Sequence, residues 1–260
     1  MVGTGASEIL QSALLALVDA GDEVILFEPW FDIYSAGVSL AHGTRVGVPM
    51  SGPNLRPDLT ALRAAVTPRT RLIILNSPSN PTGAVYSRAE LEALAAVALR
   101  HNCYVMSDEI YEHLTYGKHV FSSMPTLVPE IADRCVIVNG VAKTYAMTGW
   151  RVGWMIGPKD VMKAAINFQS HSTSNVSNVA QIAALEAVRG DLSAVAMMRE
   201  AFQRRSLTMH RMLNEIPGVV AIEPQDVCGH AGPSSLARAG LTLRFIALAC
   251  PGIFAVSSIT

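Results

Sequence analysis

The sequence predicts an α/β fold, with a mostly parallel β-sheet flanked by helices. Short apolar runs alternate with longer amphipathic segments along most of the chain, which is the pattern of βαβ units. Several apolar runs end directly in polar or glycine-containing turns, as strands do at the ligand-binding edge of an open sheet. Half of the 260 residues are hydrophobic and 16% are charged, so a large core is expected.

The expected elements follow one another along the chain. Amphipathic periodicity predicts helices, and short apolar runs bounded by turn residues predict strands. Strands are expected at 24–27, 45–50, 72–75, 104–106, 135–138 and 152–156. Helices are expected at 9–18, 59–66, 89–99, 161–168, 178–188 and 192–216. Ser87 and Glu90 fit a capping box at the start of the third helix.

These elements divide the chain into three parts. Residues 1–158 carry the alternating strands and helices, and residues 159–225 are mostly helical. Residues 226–260 are rich in Gly, Ala, Ser, Pro, Arg and Leu. We expect most of a large domain, then a helical continuation towards a second domain, then an atypical tail.

Charge and cysteine content argue against several classes of protein. The net charge of −1 shows no basic footprint for nucleic acid. The four cysteines are scattered, without a Cys-x-x-Cys pair, and predict neither a zinc site nor a disulfide framework. No apolar run is long enough to span a membrane, and the first residues do not resemble a secretory signal. We therefore expect a cytoplasmic protein without a metal site.

One lysine follows the buried strand expected at 135–138. Lys143 stands after small residues and before a polar, glycine-containing turn, and a second apolar run begins at Val152. An amine at the mouth of a buried strand loses hydration and can act as a nucleophile towards aldehydes. Taken alone, such a lysine is more often an ordinary surface residue.

The residues around Lys143 resemble a known family. Residues 139–154 read Asn-Gly-Val-Ala-Lys-Thr-Tyr-Ala-Met-Thr-Gly-Trp-Arg-Val-Gly-Trp. This sequence is similar to the cofactor-lysine region of class I and II, fold-type I aminotransferases, and it is close to their aspartate aminotransferase branch. The resemblance extends over about residues 2–225. It implies a pyridoxal 5'-phosphate cofactor, transfer of an amino group between an L-amino acid and a 2-oxo acid, and a homodimer.

The resemblance assigns two groups of residues to the phosphate of the cofactor. Gly5, Ala6 and Ser7 match a turn whose backbone N–H groups approach the phosphate at the start of a helix. Arg151 matches the phosphate-binding arginine, whose planar guanidinium suits phosphate oxygens. Gly140 departs from the pattern, since some relatives carry a phosphate-binding serine there. From the residues alone, Ser7 could equally cap a helix, and Arg151 could form a surface ion pair.

The remaining assignments concern the cofactor ring and the reaction. Lys143 is implied to form a Schiff base with the cofactor aldehyde and to carry a proton between substrate and cofactor. Asp108 is implied to pair with the pyridinium nitrogen, which keeps the ring an electron sink. Phe31 is implied to stack on the ring. Asn80 and Tyr111 are implied to hydrogen-bond the phenolic oxygen, with Asn80 also near the substrate carboxylate.

Three alternative functions remain open. Residues 28–34 are similar to the branch of kynurenine and glutamine aminotransferases, cysteine-conjugate lyases and succinyldiaminopimelate aminotransferases, so a pyridoxal-phosphate-dependent C–S lyase is one. The second is a fragment that is inactive or only binds the cofactor. The third is a nicotinamide-linked oxidoreductase, because Gly3 and Gly5 open a helix that leads to a strand ending near Glu28. Its motif lacks a third glycine, since Glu8 stands there, and no strand is expected before Gly3.

The two ends of the chain differ from the family pattern. Nothing before Met1 matches the amino-terminal arm of the family, and the resemblance stops near Gln225. Arg244 looks similar to the arginine that binds the substrate carboxylate, but it follows Gln225 too soon to be assigned that role. We therefore expect a chain truncated at both ends, with the small domain largely missing and the tail replaced or frameshifted.

Overall fold

An eight-stranded sheet organises the protein. The computed structural model describes residues 1–227 and, beyond them, two short strands, Ile246–Ala247 and Ala255–Val256, which pair with each other in antiparallel fashion. The strands of the main sheet are β1 (Val2–Thr4), β2 (Glu23–Glu28), β3 (Thr44–Ser51), β4 (Arg56–Pro57), β5 (Thr70–Asn76), β6 (Tyr104–Asp108), β7 (Cys135–Gly140) and β8 (Val152–Ile156). Their spatial order is β1-β8-β7-β6-β5-β2-β3-β4.

The strands at the centre of this sheet are parallel. β3, β2, β5, β6 and β7 run in one direction, whereas β8 is antiparallel to β7, β1 to β8 and β4 to β3. The predicted mostly parallel α/β sheet is therefore confirmed, and every predicted strand is present. The chain passes from β2 to β3 on one side, and from β5 through β6 to β7 on the other. A topological switch point consequently lies between β2 and β5.

Helices connect most of these strands. They are α1 (Gly5–Leu17), α2 (Asp32–Leu40), α3 (Leu59–Ala65), α4 (Arg88–Arg100), α5 (Met124–Leu127), α6 (Lys159–Ser172), α7 (Asn178–Arg189) and α8 (Ser193–Asn214). Short 3-10 turns occur at Pro129–Arg134 and Thr148–Trp150. Ser87 and Glu90 form the predicted capping box of α4, and the Asp58 side chain caps α3. The predicted helices are all present, with ends shifted by a few residues.

Both faces of the sheet are buried along β2, β5, β6 and β7, which explains why these central strands are nearly continuously apolar. Val24 and Leu26 of β2 belong to a core cluster with α1, α2 and α6. Ile25 and Phe27 of the same strand belong to a second cluster with α3, α4 and α5. Successive side chains of a strand point to opposite faces, so a strand buried on both sides shows no polar alternation. Polar residues are left to the strand ends.

The sequence pattern does not predict α2. Gly37 lies inside this nine-residue helix, and glycine has a low intrinsic helix propensity. The packing of α2 against α1 nevertheless requires it, because a Cβ on Gly37 would overlap the side chain of Leu14. A tertiary contact therefore determines this part of the chain against its local preference.

The strand β1 corrects one expectation. No strand is expected before Gly3 from the sequence, yet Val2–Thr4 pair with residues 152–154 of β8. A strand of this length is too short to show a periodic pattern. β1 lies at the sheet edge, antiparallel to its neighbour, and four strands separate it from β2. A dinucleotide-binding unit has parallel neighbouring strands around its glycine turn, so this arrangement does not fit the oxidoreductase alternative.

The helices after residue 158 are more exposed than those before it. α6 packs against α1, whereas α7 and α8 carry large exposed apolar side chains, among them Val179, Ile182, Met197 and Met212. No helix in the described part of the chain is long and apolar enough to cross a membrane. The domain boundaries after 158 and 225 stay predictions. Arg244 and nearly all of the predicted tail lie outside the described residues.

Candidate active site

The predicted site residues gather at the carboxyl ends of the parallel strands. Phe31 follows β2, Asn80 follows β5, Asp108 ends β6, and Lys143 follows β7. These four strands are neighbours across the switch point, where open α/β sheets bind their ligands. The strand order thus brings together side chains that are far apart in the sequence.

Asp108 is a buried carboxylate with two hydrogen-bond donors. Its Oδ2 accepts from the Tyr34 hydroxyl at 2.7 Å, and its Oδ1 accepts from the Ile110 backbone N–H at 3.2 Å. Burial raises the pKa of Asp108 to about 6, while the two hydrogen bonds and the positive charge of Lys143 oppose this rise. Asp108 is therefore largely ionised at neutral pH, as the partner of a pyridinium nitrogen must be.

Lys143 and Tyr111 belong to the same cluster as Asp108. Lys143 is half-buried, and its Nζ lies 5.6 Å from the centre of the Tyr111 ring. A cation over an aromatic face is a favourable contact. Tyr111 is buried in the turn after β6, where its carbonyl oxygen accepts from the Leu114 N–H. The amine, the carboxylate and the phenol ring thus lie together at the site.

Sequence reasoning misses Asn76, which ends β5. Its Nδ2 donates to the backbone oxygen of Asp108 at 3.1 Å, and its Oδ1 accepts from the backbone N–H of Asn80 at 2.7 Å. Asn76 is buried, so both hydrogen bonds are shielded from water. One side chain therefore joins the two segments that carry Asn80 and Asp108. A polar residue at the end of an apolar strand is the signal that could have identified it.

Phe31 and Tyr34 form an aromatic pair at the start of α2. Their ring centroids lie 5.8 Å apart and the rings are nearly perpendicular, at 88°. Tyr34 is buried, whereas Phe31 is only partly buried against the core. The edge contact with the buried Tyr34 ring therefore supports the ring of Phe31, the predicted stacking residue. The hydrogen bond of Tyr34 to Asp108 also escapes sequence reasoning, because the two residues are distant in the chain.

The second group of predicted residues lies at the start of α1. Gly5, Ala6 and Ser7 are its first three residues, so their N–H groups have no partner within the helix and the helix dipole favours an anion there. The guanidinium of Arg151 lies so close that a Cβ on Gly5 would overlap it. A phosphate can be held between this helix end and the arginine. Ser7 is not the helix cap, because Thr4 occupies the N-cap position.

Two further glycines bring α1 and the last strands close together. A Cβ on Gly153 would overlap the backbone nitrogen of Ala6. A Cβ on Gly140 would lie 2.8 Å from the carbonyl oxygen of Val152. A serine in place of Gly140 would therefore require a backbone shift, which gives a packing reason for this departure from the pattern.

This geometry belongs to a chain whose sequence matches one family nearly throughout. The family model described as "Aminotransferase class I and II" matches residues 1–228. The chain belongs to the class I and II aminotransferases. The resemblance read from residues 139–154 is thereby confirmed.

Three similar aminotransferases show how far the likeness extends. An aspartate aminotransferase of Streptomyces avermitilis is 53% identical over 245 residues, which are 94% of this chain and 60% of that protein. An aspartate/prephenate aminotransferase of Cereibacter sphaeroides is 45% identical over 252 residues, or 93% of this chain and 62% of that protein. The crystal structure of the Rhizobium meliloti aspartate aminotransferase matches with a TM-score of 0.85 at 39% identity, covering 88% of this chain and 60% of that one.

This aminotransferase chain therefore spans about 60% of the length of the relatives that it matches. Its described residues include the segments that carry all nine predicted site residues. The assignment of individual cofactor roles to those residues stays a prediction.

Glu109 is a second buried carboxyl group in this aminotransferase, and its contacts indicate a structural role. Its Oε1 accepts from the hydroxyls of Ser107 and Ser123, each at 2.9 Å. Burial raises the pKa of Glu109 to about 7. These bonds tie the segment before α5 to β6.

Within residues 1–227, no cluster of His, Cys, Asp and Glu side chains could hold a metal ion.

We expect Gly153→Ala to weaken anion binding at the start of α1. The added methyl group would push Ala6 away from β8, and overpacking of this kind destabilises a protein by about 1–3 kcal/mol. The affinity for pyridoxal phosphate should fall by up to about tenfold, since an anion at a partly buried helix end gains up to ~2 kcal/mol from the helix dipole. Equilibrium dialysis and thermal unfolding measure the two effects.

Gly149→Ala is the matched control for this change. Gly149 lies in the same segment, and a Cβ there meets nothing within 4 Å. Equal affinities in the two variants would contradict the role given to the close approach at Gly153.

Proposed function

We propose that this chain binds pyridoxal 5'-phosphate and, as part of an aminotransferase, moves an amino group between an L-amino acid and a 2-oxo acid. The observation that carries the proposal is the buried, doubly hydrogen-bonded carboxylate of Asp108, whose pKa the positive charge of nearby Lys143 lowers. Relatives named aspartate aminotransferase, at up to 53% identity, make aspartate the first amino donor to test.

The residues present fit this cofactor. The N–H groups at the start of α1 and the guanidinium of Arg151 suit its phosphate, and the missing side chain of Gly5 lets the guanidinium lie against the helix start. The carboxylate of Asp108 suits its ring nitrogen, and the partly buried ring of Phe31 suits its face. Asn80 and Tyr111 lie on the segments that follow β5 and β6, and their side chains would suit its phenolic oxygen.

Bound pyridoxal phosphate supplies an electron sink for the α-carbon of the substrate. The residues of the chain provide the rest. Lys143 would accept and return a proton at the α-carbon, since its amine lies in the same cluster as Asp108 and Tyr111. Asp108 keeps a negative charge opposite the ring nitrogen. Arg151 would bind the phosphate, and the side-chain amide of Asn80 would donate a hydrogen bond to the phenolic oxygen of the cofactor.

Several parts of this proposal rest on the whole family protein, of which the chain spans about 60%. The homodimer and the cytoplasmic location expected from the sequence are among them. The identity of the amino acceptor is another.

The first experiment is a titration of the purified chain with pyridoxal phosphate, followed by borohydride reduction and peptide mapping. We expect a stable pyridoxyl adduct on the peptide that contains Lys143. Incubation of the loaded protein with L-aspartate and 2-oxoglutarate should then yield glutamate, and product formation should require the oxo acid.

Each other outcome has a defined meaning. An adduct without amino transfer would indicate a fragment that only binds the cofactor. Product release from a cysteine conjugate without any oxo acid would indicate the C–S lyase. The absence of an adduct in folded protein would refute the proposed function.

A further inference from the structure

Tyr34 contacts both residues that are predicted to hold the cofactor ring in place. We propose that Tyr34 is a positioning residue, which fixes the carboxylate of Asp108 opposite the ring nitrogen and braces the stacking ring of Phe31. The part that concerns the cofactor rests on the proposed function. The contact with Asp108 can be tested without it.

The position of Tyr34 follows from the start of α2. Phe31 is the N-cap residue of this helix, and Tyr34 comes three residues later, so the two side chains lie side by side on one face. The edge-to-face contact of their rings, with centroids 5.8 Å apart, limits how Phe31 can tilt. A single helical turn thus carries both the stacking ring and the donor to Asp108.

The hydrogen bond to Asp108 is short and shielded from water. Tyr34 is 2% exposed and Asp108 is 4% exposed, and the hydroxyl lies 2.7 Å from Oδ2. Hydrogen bonds to a charged acceptor are stronger than neutral ones, and a low local dielectric strengthens them further. Replacing the hydroxyl would therefore remove a substantial part of the stabilisation of the ionised carboxylate.

Among the residues that the structure describes, few groups act on the carboxylate of Asp108. The titratable groups there that shift its pKa are Tyr34 from α2 and Lys143 from the segment after β7, and the Ile110 N–H supplies the second hydrogen bond. The Ile110 donor is a backbone N–H group, and Lys143 is predicted to take part in the reaction itself. Tyr34 is consequently the side chain through which the charge and the orientation of Asp108 can be set independently of the reaction.

Removal of the hydroxyl has a defined direction of effect. Burial holds the pKa of Asp108 at about 6, above its usual range, and the Tyr34 bond lowers it. Tyr34→Phe keeps the ring contact with Phe31 but loses the donor, so the pKa of Asp108 should rise by about one to two units. More of the carboxyl group would then be protonated at neutral pH, and a protonated group cannot hold a pyridinium nitrogen.

The direct test is an NMR titration of the cofactor-free protein labelled with carboxyl-¹³C aspartate, with the Asp108 signal assigned by Asp108→Asn. Tyr34→Phe should shift the midpoint of Asp108 upwards. Tyr104→Phe is the matched control, because Tyr104 begins the same strand that Asp108 ends and its ring contacts the guanidinium groups of Arg71 and Arg134 instead. An unchanged midpoint in Tyr34→Phe overturns the proposal.

The unaltered chain supplies a second measurement, which stands even if Tyr34→Phe does not fold. With ¹³Cζ-labelled tyrosine, one tyrosine signal should shift with the midpoint of Asp108, and this step should vanish in Asp108→Asn. The absence of any such step in the wild-type protein overturns the proposal.

The affinity for pyridoxal phosphate as a function of pH tests the consequence for the cofactor. Tyr34→Phe should bind about two- to tenfold more weakly at pH 7 and recover part of the loss at higher pH. A merely structural defect would weaken binding equally at every pH, and that result overturns the role towards the cofactor. A wild-type chain that does not bind pyridoxal phosphate refutes the proposed function, and the NMR result then decides the Asp108 contact alone.

Discussion

Lys143→Ala should abolish amino transfer and borohydride-stable labelling together. The amine of Lys143 is predicted both to hold the cofactor and to move the proton at the substrate α-carbon, and no other lysine follows the end of β7 before β8. Proton transfer by a positioned side chain alone contributes up to about 10⁴-fold, so we expect kcat to fall by about that factor or more. Steady-state kinetics and mass spectrometry of the reduced protein measure the two losses.

The control for this change is Lys163→Ala. Lys163 lies on α6 and is exposed to solvent, so its removal should leave both labelling and kcat unchanged. A Lys143→Ala variant that still incorporates a pyridoxyl group at a single site would show that a different lysine carries the cofactor.

Asp108→Asn should lower activity while it raises the stability of the cofactor-free protein. Loss of one partner from a buried charge pair costs about 3–5 kcal/mol, so kcat should fall by about 10²- to 10⁴-fold. The stability effect has the opposite sign because the buried carboxylate is itself unfavourable. A rise in the pKa of Asp108 from 3.8 to about 6 corresponds to a penalty of up to ~3 kcal/mol at neutral pH.

The pH dependence of this stability gain follows from the direction of the shift. Between about pH 4 and pH 6 the folded state of the wild type binds a proton on Asp108 that the unfolded state has lost, so wild-type stability falls as the pH rises through this window. Asp108→Asn lacks this dependence. Its advantage should be full above about pH 6 and should vanish below about pH 4.

Urea unfolding at a series of pH values measures this difference. Asp133→Asn, at an exposed position, is the control and should show no such window. A stability gain that persists at pH 3 would show that the gain does not come from the charge of Asp108.

The sequence predicts the fold because its strands are buried on both faces. Continuous apolar runs such as 24–27 and 72–75 can be recognised locally, and Ser87 with Glu90 marks a helix start without any tertiary information. The helix α2 escapes this reasoning, since Gly37 is selected by the packing of α1 rather than by helix propensity. The strand β1 escapes it because a three-residue strand has no period.

In the candidate site, too, some residues can be recognised from the local sequence and others depend on tertiary contacts. The predicted cofactor residues come from a resemblance that is long and specific around Lys143. The residues that hold these side chains in place could not be predicted from that resemblance, because each of them contacts a partner that is distant in the sequence. Tyr34 lies 74 residues before its partner Asp108, and Asn76 joins Asp108 to Asn80 through contacts that only the sheet creates. No local pattern records such contacts.

The pairing of β1 with β8 determines how late the predicted phosphate site can form as the chain is synthesised. Val2 is synthesised about 150 residues before its partner Trp154. The pairing of β1 with β8 therefore cannot form until β8 has been synthesised. β2, β3 and β5 can pair earlier, because their partners lie closer in sequence. Arg151 reaches Gly5 only when β8 joins the sheet. A phosphate group bound between Arg151 and the start of α1 would therefore be a late ligand, which binds after β1 has joined the sheet.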